Sequence, residues 1–246
     1  MAPLLEIDTI SVSFGGLLAL DRATIDVEAG RVTGLIGPNG AGKTTLFNVI
    51  TGLQHPTSGD VRLDGKNVTR AKRHARARLG IARTFQRLEP FGSLTARENV
   101  LVALEMRRRW AKERYDCNAV ADELLARVGI TAVADRKVDL LPTGTARLVE
   151  LARALGTAPR VLLLDEPSSG LSEEETDAMG RLLLELAAGG LAILLVEHDM
   201  SFVMGTCKYI NVLDFGRIIA HGTPDEIQVD PEVQRAYLGT AAGQTP

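Results

Sequence analysis

Gly37-Pro38-Asn39-Gly40-Ala41-Gly42-Lys43-Thr44-Thr45 decides how the rest of the chain is read. The stretch fits G-x-x-x-x-G-K-[ST], with Lys43 as the lysine and Thr44 as the hydroxyl. The pattern has a physical basis. Backbone N–H groups of a glycine-rich loop wrap phosphate oxygens, and the helix that follows turns its positive end toward them. Gly37, Gly40 and Gly42 allow the turn and a close approach where a Cβ would clash. Lys43 is expected to reach the β- and γ-phosphates, and Thr44 to ligate Mg2+. The flanks agree with this reading. Arg31-Val32-Thr33-Gly34-Leu35-Ile36 predicts a short buried strand, and Thr45-Leu46-Phe47-Asn48-Val49-Ile50 a helix ended by Gly52.

Composition narrows the classes. The chain has 246 residues, 45% hydrophobic and 24% charged, enough for one large domain or a domain with a lobe. A net charge of -3 argues against a generic polyanion binder, and 4% aromatics against rows of stacking platforms for single strands. No nucleic-acid partner is expected. Cys117 and Cys207 lack metal-type spacing and predict a reducing compartment without a disulfide framework. No apolar run approaches the roughly 18 residues that span a bilayer. Met1-Ala2-Pro3-Leu4-Leu5-Glu6 lacks the features of a signal peptide. The expectation is a soluble, cytoplasmic chain.

Around the phosphate loop the chain alternates strands and helices. Leu4 to Val12 and Ala19 to Val27 read as strands, forming a small antiparallel sheet beside the site. Phe14, between them, is either core or a face for a base to stack on. His55 to Asp60 reads as a turn, and Val61 to Gly65 as a short hairpin strand. Arg70, Lys72, Arg73, Arg76 and Arg78 make a basic run, read as a solvated helix face with an anionic surface as the alternative. Gly80 to Phe85 is a strand candidate ending at Gln86. Residues 88–157 are mostly helical by pattern, with a capping box at Thr95-Ala96-Arg97-Glu98 and a second basic cluster at Arg107-Arg108-Arg109. They read as a helical lobe inserted into an α/β core.

Two later apolar runs end in polar residues. Val161-Leu162-Leu163-Leu164 leads into Asp165-Glu166, and Leu191 to Val196 into Glu197-His198-Asp199. Such runs suit parallel strands buried on both faces, and open α/β sheets bind ligands at the carboxyl ends of their strands. Asp165 is then the expected Mg2+ partner, and Glu166 a candidate base for an attacking water. If the two strands are neighbours, Glu166 and His198 can both reach one γ-phosphate. Tyr209 to Leu213 and Arg217 to Ala220 predict a hairpin, and Thr223-Pro224-Asp225-Glu226 opens a terminal helix.

The phosphate loop, Gln86, the Asp165-Glu166 strand and His198 occur in the order found in ABC-transporter ATPase subunits, and the resemblance covers nearly the whole chain. It implies a phosphate-loop nucleotidase core of mainly parallel sheet (1–87 and 158–246, with an N-terminal antiparallel β-subdomain) and an inserted helical subdomain (88–157). It implies ATP and Mg2+ as cofactors. Phe14 would stack on adenine. Gln86 would sense Mg2+ and the γ-phosphate. Glu166 would be the general base and His198 the γ-phosphate switch. Ser168-Ser169-Gly170-Leu171-Ser172 resembles the loop that follows the base.

Ile81 to Gln86, Glu197-His198-Asp199-Met200, and His221-Gly222-Thr223-Pro224 through Arg235-Ala236-Tyr237-Leu238-Gly239 look like branched-chain amino-acid importers, specifically their larger ATPase subunit. ATPases of lipopolysaccharide export share much of the C-terminal pattern. The signature L-S-G-G-Q aligns with Leu141-Pro142-Thr143-Gly144-Thr145, which departs from it at Pro142, Thr143 and Thr145. A signature serves the opposite subunit's nucleotide, so the resemblance implies a second ATPase subunit, a different chain. It also implies two integral-membrane permease subunits, an extracytoplasmic substrate-binding protein, and a place on the cytoplasmic face of the membrane. The altered signature keeps open a weakly hydrolysing regulatory subunit, and the substrate could instead be urea or another amino acid.

Overall fold

The computed structural model describes residues 2–85 and 90–241. β1 (Leu5–Phe14) and β2 (Leu17–Val27) form an antiparallel hairpin across Gly15-Gly16. Leu5, Ile7, Ile10 and Val12 are fully buried, as expected for a sheet with one face on the core. β3 (Val32–Ile36) follows, buried at every residue. α1 (Lys43–Thr51) leaves the phosphate loop and stops at Gly52, whose left-handed φ of 77° ends the helix. β4 (Ser58–Leu63) and β5 (Lys66–Asn67) complete a four-stranded sheet in the order β2-β1-β4-β5.

Ser58-Gly59-Asp60, read from composition as turn, instead begin β4, with Asp60 opposite Asp8 and Ser58 opposite Ser11. The irregular composition serves a break in register between those pairs. Thr9 has φ 49° and Gly59 φ 90°, and a Cβ on Gly59 would stand 2.5 Å from the Thr9 carbonyl oxygen.

The basic run needs a second correction. α2 (Arg73–Arg78) keeps Arg73 and Arg78 on the surface, but Arg76 is 1% exposed. Its guanidinium donates to the carbonyls of Val49 at 2.6 Å, Ile50 at 2.7 Å, Thr69 at 2.6 Å and Ala71 at 3.1 Å. Val49 and Ile50 lie in the last turn of α1, where carbonyls lack helical partners and a cation meets the negative end of the dipole. A charge count cannot tell such a cap from a solvated face, because both are arginines on a short helix.

After β6 (Ile81–Arg83) comes the helical stretch: α3 (Ala96–Ala111), α4 (Cys117–Arg127) and α5 (Thr143–Gly156). Thr95 and Glu98 cap α3 reciprocally, as their spacing indicates. The second basic cluster is largely paired: Arg107 with Glu113 at 2.5 Å and Arg108 with Glu105 at 2.6 Å. α5 starts at Thr143, before the apolar periodicity from Ala146 indicates. The Pro142 carbonyl already accepts the Ala146 N–H at 2.9 Å, so Thr143-Gly144-Thr145 form the first turn.

β7 (Val161–Asp165), α6 (Glu173–Ala188), β8 (Ala192–Val196) and α7 (Met200–Thr206) lead into the hairpin of β9 (Tyr209–Asp214) and β10 (Arg217–Gly222). The terminal helix is two: α8 (Pro224–Val229) and α9 (Pro231–Ala241). Pro231 holds Asp230 extended, at ψ 122°, and so divides them.

The main sheet runs β10-β9-β3-β8-β7-β6, parallel except for the β10 edge. Its faces feed separate cores. Leu162, Leu164, Ile193 and Leu195 pack with the helical stretch, α6 and α7. Leu163, Leu194, Val196 and Leu35 pack with α1 and the first sheet. Each such side chain is worth about 1.5–3 kcal/mol against exposure, which explains the unbroken apolar runs. The carboxyl ends of the adjacent strands β3, β8, β7 and β6 therefore lie side by side, and the loops leaving them meet.

Candidate nucleotide site

The phosphate loop joins β3 to α1. At two of its glycines the close approach is to the chain's own backbone. A Cβ on Gly37 would fall 1.9 Å from the Leu213 carbonyl oxygen, and one on Gly42 would fall 2.7 Å from that of Ala19. Gly40 has open space around it, and its φ of 81° is what favours glycine. The turn of the β9–β10 hairpin braces the loop, with the Gly216 N–H donating to the Ala41 carbonyl at 2.9 Å. Among the described residues no side chain caps the N-terminus of α1, so its first N–H groups are directed to the loop's concave side, beside the exposed Asn39, Gly40 and Thr44. Thr45 is half-buried.

Lys43 folds over this concavity. Its ammonium donates to the carbonyls of Gly37 at 2.5 Å and Pro38 at 3.0 Å. Burial pulls it below the usual lysine range, while the Glu166 and Asp165 carboxylates act the other way. The Tyr237 hydroxyl on α9 is hydrogen-bonded to the backbone of Gly37, and burial pushes that phenol up to about 12.

β7 and β8 are neighbours, with Asp165 opposite Val196. Glu166, just past β7, takes a left-handed φ of 51°, an uncommon conformation for a non-glycine residue that clusters at functional sites. Its Oε1 stands 3.9 Å from Nδ1 of His198, whose side chain is 71% exposed. Asp165 is buried, and its Oδ2 accepts from Nη2 of Arg83 at 2.9 Å.

Glu197 stands in a quoted motif, but the sequence assigns it no role. Its side chain is fully buried. It accepts the Ser168 N–H at 2.8 Å, the Ser168 hydroxyl at 2.6 Å and the His198 N–H at 3.1 Å. It thereby ties the loop after β7 to the loop after β8. Only its place at the end of an apolar strand could have signalled this.

The remaining expected residues are less closely gathered. Phe14 ends β1 with 48% exposure, so it is not core. Gln86 lies outside the described residues. Pro142 precedes α5 with φ -55° and caps it with no side-chain bond. Leu141 is half-buried and Pro142 and Thr143 are exposed, while Gly144 is buried with Leu171 so close that a Cβ would stand 2.6 Å from it. Among the described residues no hydrogen bond joins Leu141 to Thr145 with the phosphate loop of the same chain.

Beside the site, an apolar groove of about 480 Å3 runs between the end of β6 and the helices α3 and α5, lined by Leu53, Phe85, Phe91, Met106 and Trp110 among others.

A glycine-rich loop opening a helix, with acidic and histidine-bearing strand ends beside it, defines an ATP-binding cassette. Residues 20–169 match the family model described as ABC transporter, and the chain belongs to that family. Residues 217–243 match a second model, described as Branched-chain amino acid ATP-binding cassette transporter. The chain is 40% identical to the high-affinity branched-chain amino acid transport ATP-binding protein BraF of Pseudomonas aeruginosa, over 97% of this chain and 99% of that one. The ADP conformation of MJ1267, an ATP-binding cassette of an ABC transporter, superposes with a TM-score of 0.87 at 32% identity, covering 97% of this chain and all of that one. The dimeric, post-hydrolysis cassette MJ0796 bound to ADP and Pi gives 0.81 at 25% identity, covering 89% and 98%. The chain is thus an ABC ATPase, of the class that couples ATP hydrolysis to transport. Among the described residues no helix is long and apolar enough to cross a membrane.

Proposed function

We propose that this chain binds and hydrolyses ATP to power a membrane importer of branched-chain amino acids. The carrying observation is that the phosphate loop, Glu166 and His198 leave three adjacent parallel strands and meet at one edge. In this reading the loop N–H groups and Lys43 hold the phosphates, and Phe14 offers its exposed ring to the adenine. Glu166 takes the proton of the attacking water, and His198 contacts the γ-phosphate. Catalysis is mostly positioning and charge neutralisation.

Mg2+ takes hard oxygen donors and keeps phosphate and water ligands. The exposed Thr44 hydroxyl and the Asp165 carboxylate suit it, with Gln86 as a third candidate. Among the described residues no cluster of His, Cys, Asp or Glu could hold an ion alone, which fits an ion that arrives with its nucleotide. When bound, the ion would neutralise charge on the phosphates while the γ-phosphoryl group passes to water and ADP leaves.

The partners follow from the parts this chain lacks. It carries one phosphate loop and one signature, so a complete site takes a second ATPase subunit, in our reading a different chain. That subunit's nucleotide would be closed by Leu141-Pro142-Thr143-Gly144-Thr145. Two permease subunits would cross the membrane and seat on the apolar groove beside Phe85, holding this chain at the cytoplasmic face. An extracytoplasmic binding protein would deliver the substrate. The relatives named for branched-chain amino-acid transport and the match over 217–243 support the substrate class.

The test is the complex reconstituted in membranes with its permease and binding protein. ATP hydrolysis should rise when the binding protein carries leucine, isoleucine or valine. Glu166→Gln should bind ATP normally yet lose about 10²–10⁴-fold in hydrolysis. A wild-type rate in that variant would show that Glu166 is not the base, and indifference to all three amino acids would show that the substrate is another.

A further inference from the structure

Arg83 lies in the Ile81 to Gln86 stretch but has no role assigned by it, and its guanidinium meets three parts of the site at once. Nη2 donates to Oδ2 of Asp165 at 2.9 Å. Nη1 donates to Oδ1 of Asn48, on the helix that opens at the phosphate loop, at 2.6 Å. Its central carbon stands 5.2 Å from the Phe47 ring centroid and 4.9 Å from that of Phe85, the residue before Gln86. The Arg83 and Asp165 side chains are 5% and 6% exposed. Arg83 Nε is buried and finds no hydrogen-bond partner among the described residues.

Stability is a poor explanation for this pair. Desolvating two charges costs about as much as their attraction returns, and apolar side chains of similar volume often do as well. Geometry is a better one. The guanidinium engages Asp165 through Oδ2 at 2.9 Å, which restricts how the carboxylate can turn. Its central carbon also lies over rings from α1 and from the chain leading into Gln86. A planar fork with fixed donors can bond Asp165 and Asn48 at once while lying over both rings, whereas a lysine ammonium is a compact point charge on a flexible stem.

We infer that Arg83 is a positioning residue: it sets the Asp165 carboxylate toward the Mg2+ of the bound nucleotide and, through Phe85, ties that setting to the segment carrying Gln86. The inference rests on the assignment of Asp165 to Mg2+ under the proposed function. Any shift of Phe85 would loosen the stack on Arg83 and, with it, the orientation of Asp165.

The experiment uses the full chain and three variants: Arg83→Lys, Asp165→Asn and the double. ADP affinity is measured by calorimetry in Mg2+ and in EDTA, beside each melting temperature. The ratio of the two affinities isolates the ion's share. Asp165→Asn should collapse that ratio. Arg83→Lys keeps the charge but loses fork and stack, and should lower the ratio by about tenfold, the worth of one hydrogen bond to a charged group. Its affinity in EDTA should stay at wild type. The double variant should fall no lower than Asp165→Asn alone. A wild-type ratio in Arg83→Lys overturns the inference, as do equal losses with and without metal or additive losses in the double. If Asp165→Asn itself keeps the wild-type ratio, the metal assignment fails and the inference with it. If that variant collapses while Arg83→Lys does not, only the Arg83 role fails.

Discussion

Replacing Arg76 by methionine removes the guanidinium and keeps most of the stem. Four backbone carbonyls then lose the guanidinium, Val49, Ile50, Thr69 and Ala71, of which Val49 keeps the Gly52 N–H at 3.1 Å. An unsatisfied buried acceptor costs about 1–3 kcal/mol, and the simple sum over four would overstate the loss. Two effects reduce it. Burial lowers the Arg76 pKa, a sign that its charge is already held at a desolvation cost, and that cost vanishes with the charge. Water can also enter beside the carbonyls near the surface. A net loss of about 3–5 kcal/mol remains, the range for removing one partner from a buried charged network. For a chain of this size about 1 kcal/mol moves the melting temperature by 2–4 °C, so the shift is about 6–20 °C. The assay is thermal unfolding by calorimetry without nucleotide. Arg78→Met serves as the control, since Arg78 is exposed on the same helix, and it should change stability by under about 0.5 kcal/mol. Equal shifts in the two variants would refute the capping role and return Arg76 to the solvated face that the charge run suggested.

Three further outcomes are expected. Lys43→Ala should bind ATP far more weakly by calorimetry and show no turnover, while melting close to wild type, because its ammonium faces the loop carbonyls and not an apolar core; unchanged affinity would contradict the phosphate-loop reading. In the complex of two unlike ATPase chains, Pro142→Ser should raise hydrolysis at the partner's nucleotide by about ten- to hundredfold, the worth of a hydroxyl bond to a charged phosphate, measured with the partner's site as the only active one; an unchanged rate would mean that Thr145 or water already serves. Cys207, whose thiol burial pushes up to about 12, is thiolate in about one molecule in ten thousand at pH 8, and burial raises Cys117 too. Alkylation of the native chain at that pH should therefore be slow and become rapid in denaturant, and rapid native labelling would argue against the packing around β3 and α7.

Much of the site could be read from the chain because its chemistry sits at breaks in a strong pattern. Val161 to Leu164 and Leu191 to Val196 can be little else than buried strands, so the polar residues that end them stand out. The glycine-rich loop is legible because its backbone geometry tolerates few substitutes. What escaped reading depends on partners distant in sequence. Arg76 looks like Arg78 until the carbonyls of α1 are placed beside it. Glu197 looks like one more acid until Ser168 arrives from the neighbouring strand. Arg83 looks like a surface cation until Asp165, Asn48 and two rings enclose it. Gly59 reads as a turn residue unless the bulge opposite Thr9 is known. The division between α8 and α9 was available in Asp230-Pro231, where a proline biases the residue before it away from helix.

The in-register ladder has a consequence for how such a chain can change over time. Leu35 and Asp165 both pair with Val196, so the strand that launches the phosphate loop and the strand that leads into Glu166 are two rungs apart. Each rung spans about 4.8 Å, so the gap is about 10 Å. Backbone bonds hold that spacing. Leucine can drift to isoleucine or valine anywhere along these strands without moving the reacting groups, provided the volume is kept. An inserted or deleted residue in β8 would be another matter, since it would slip Glu197 and His198 against both neighbours. A sheet built this way can exchange core side chains of kept volume while its strand lengths stay fixed.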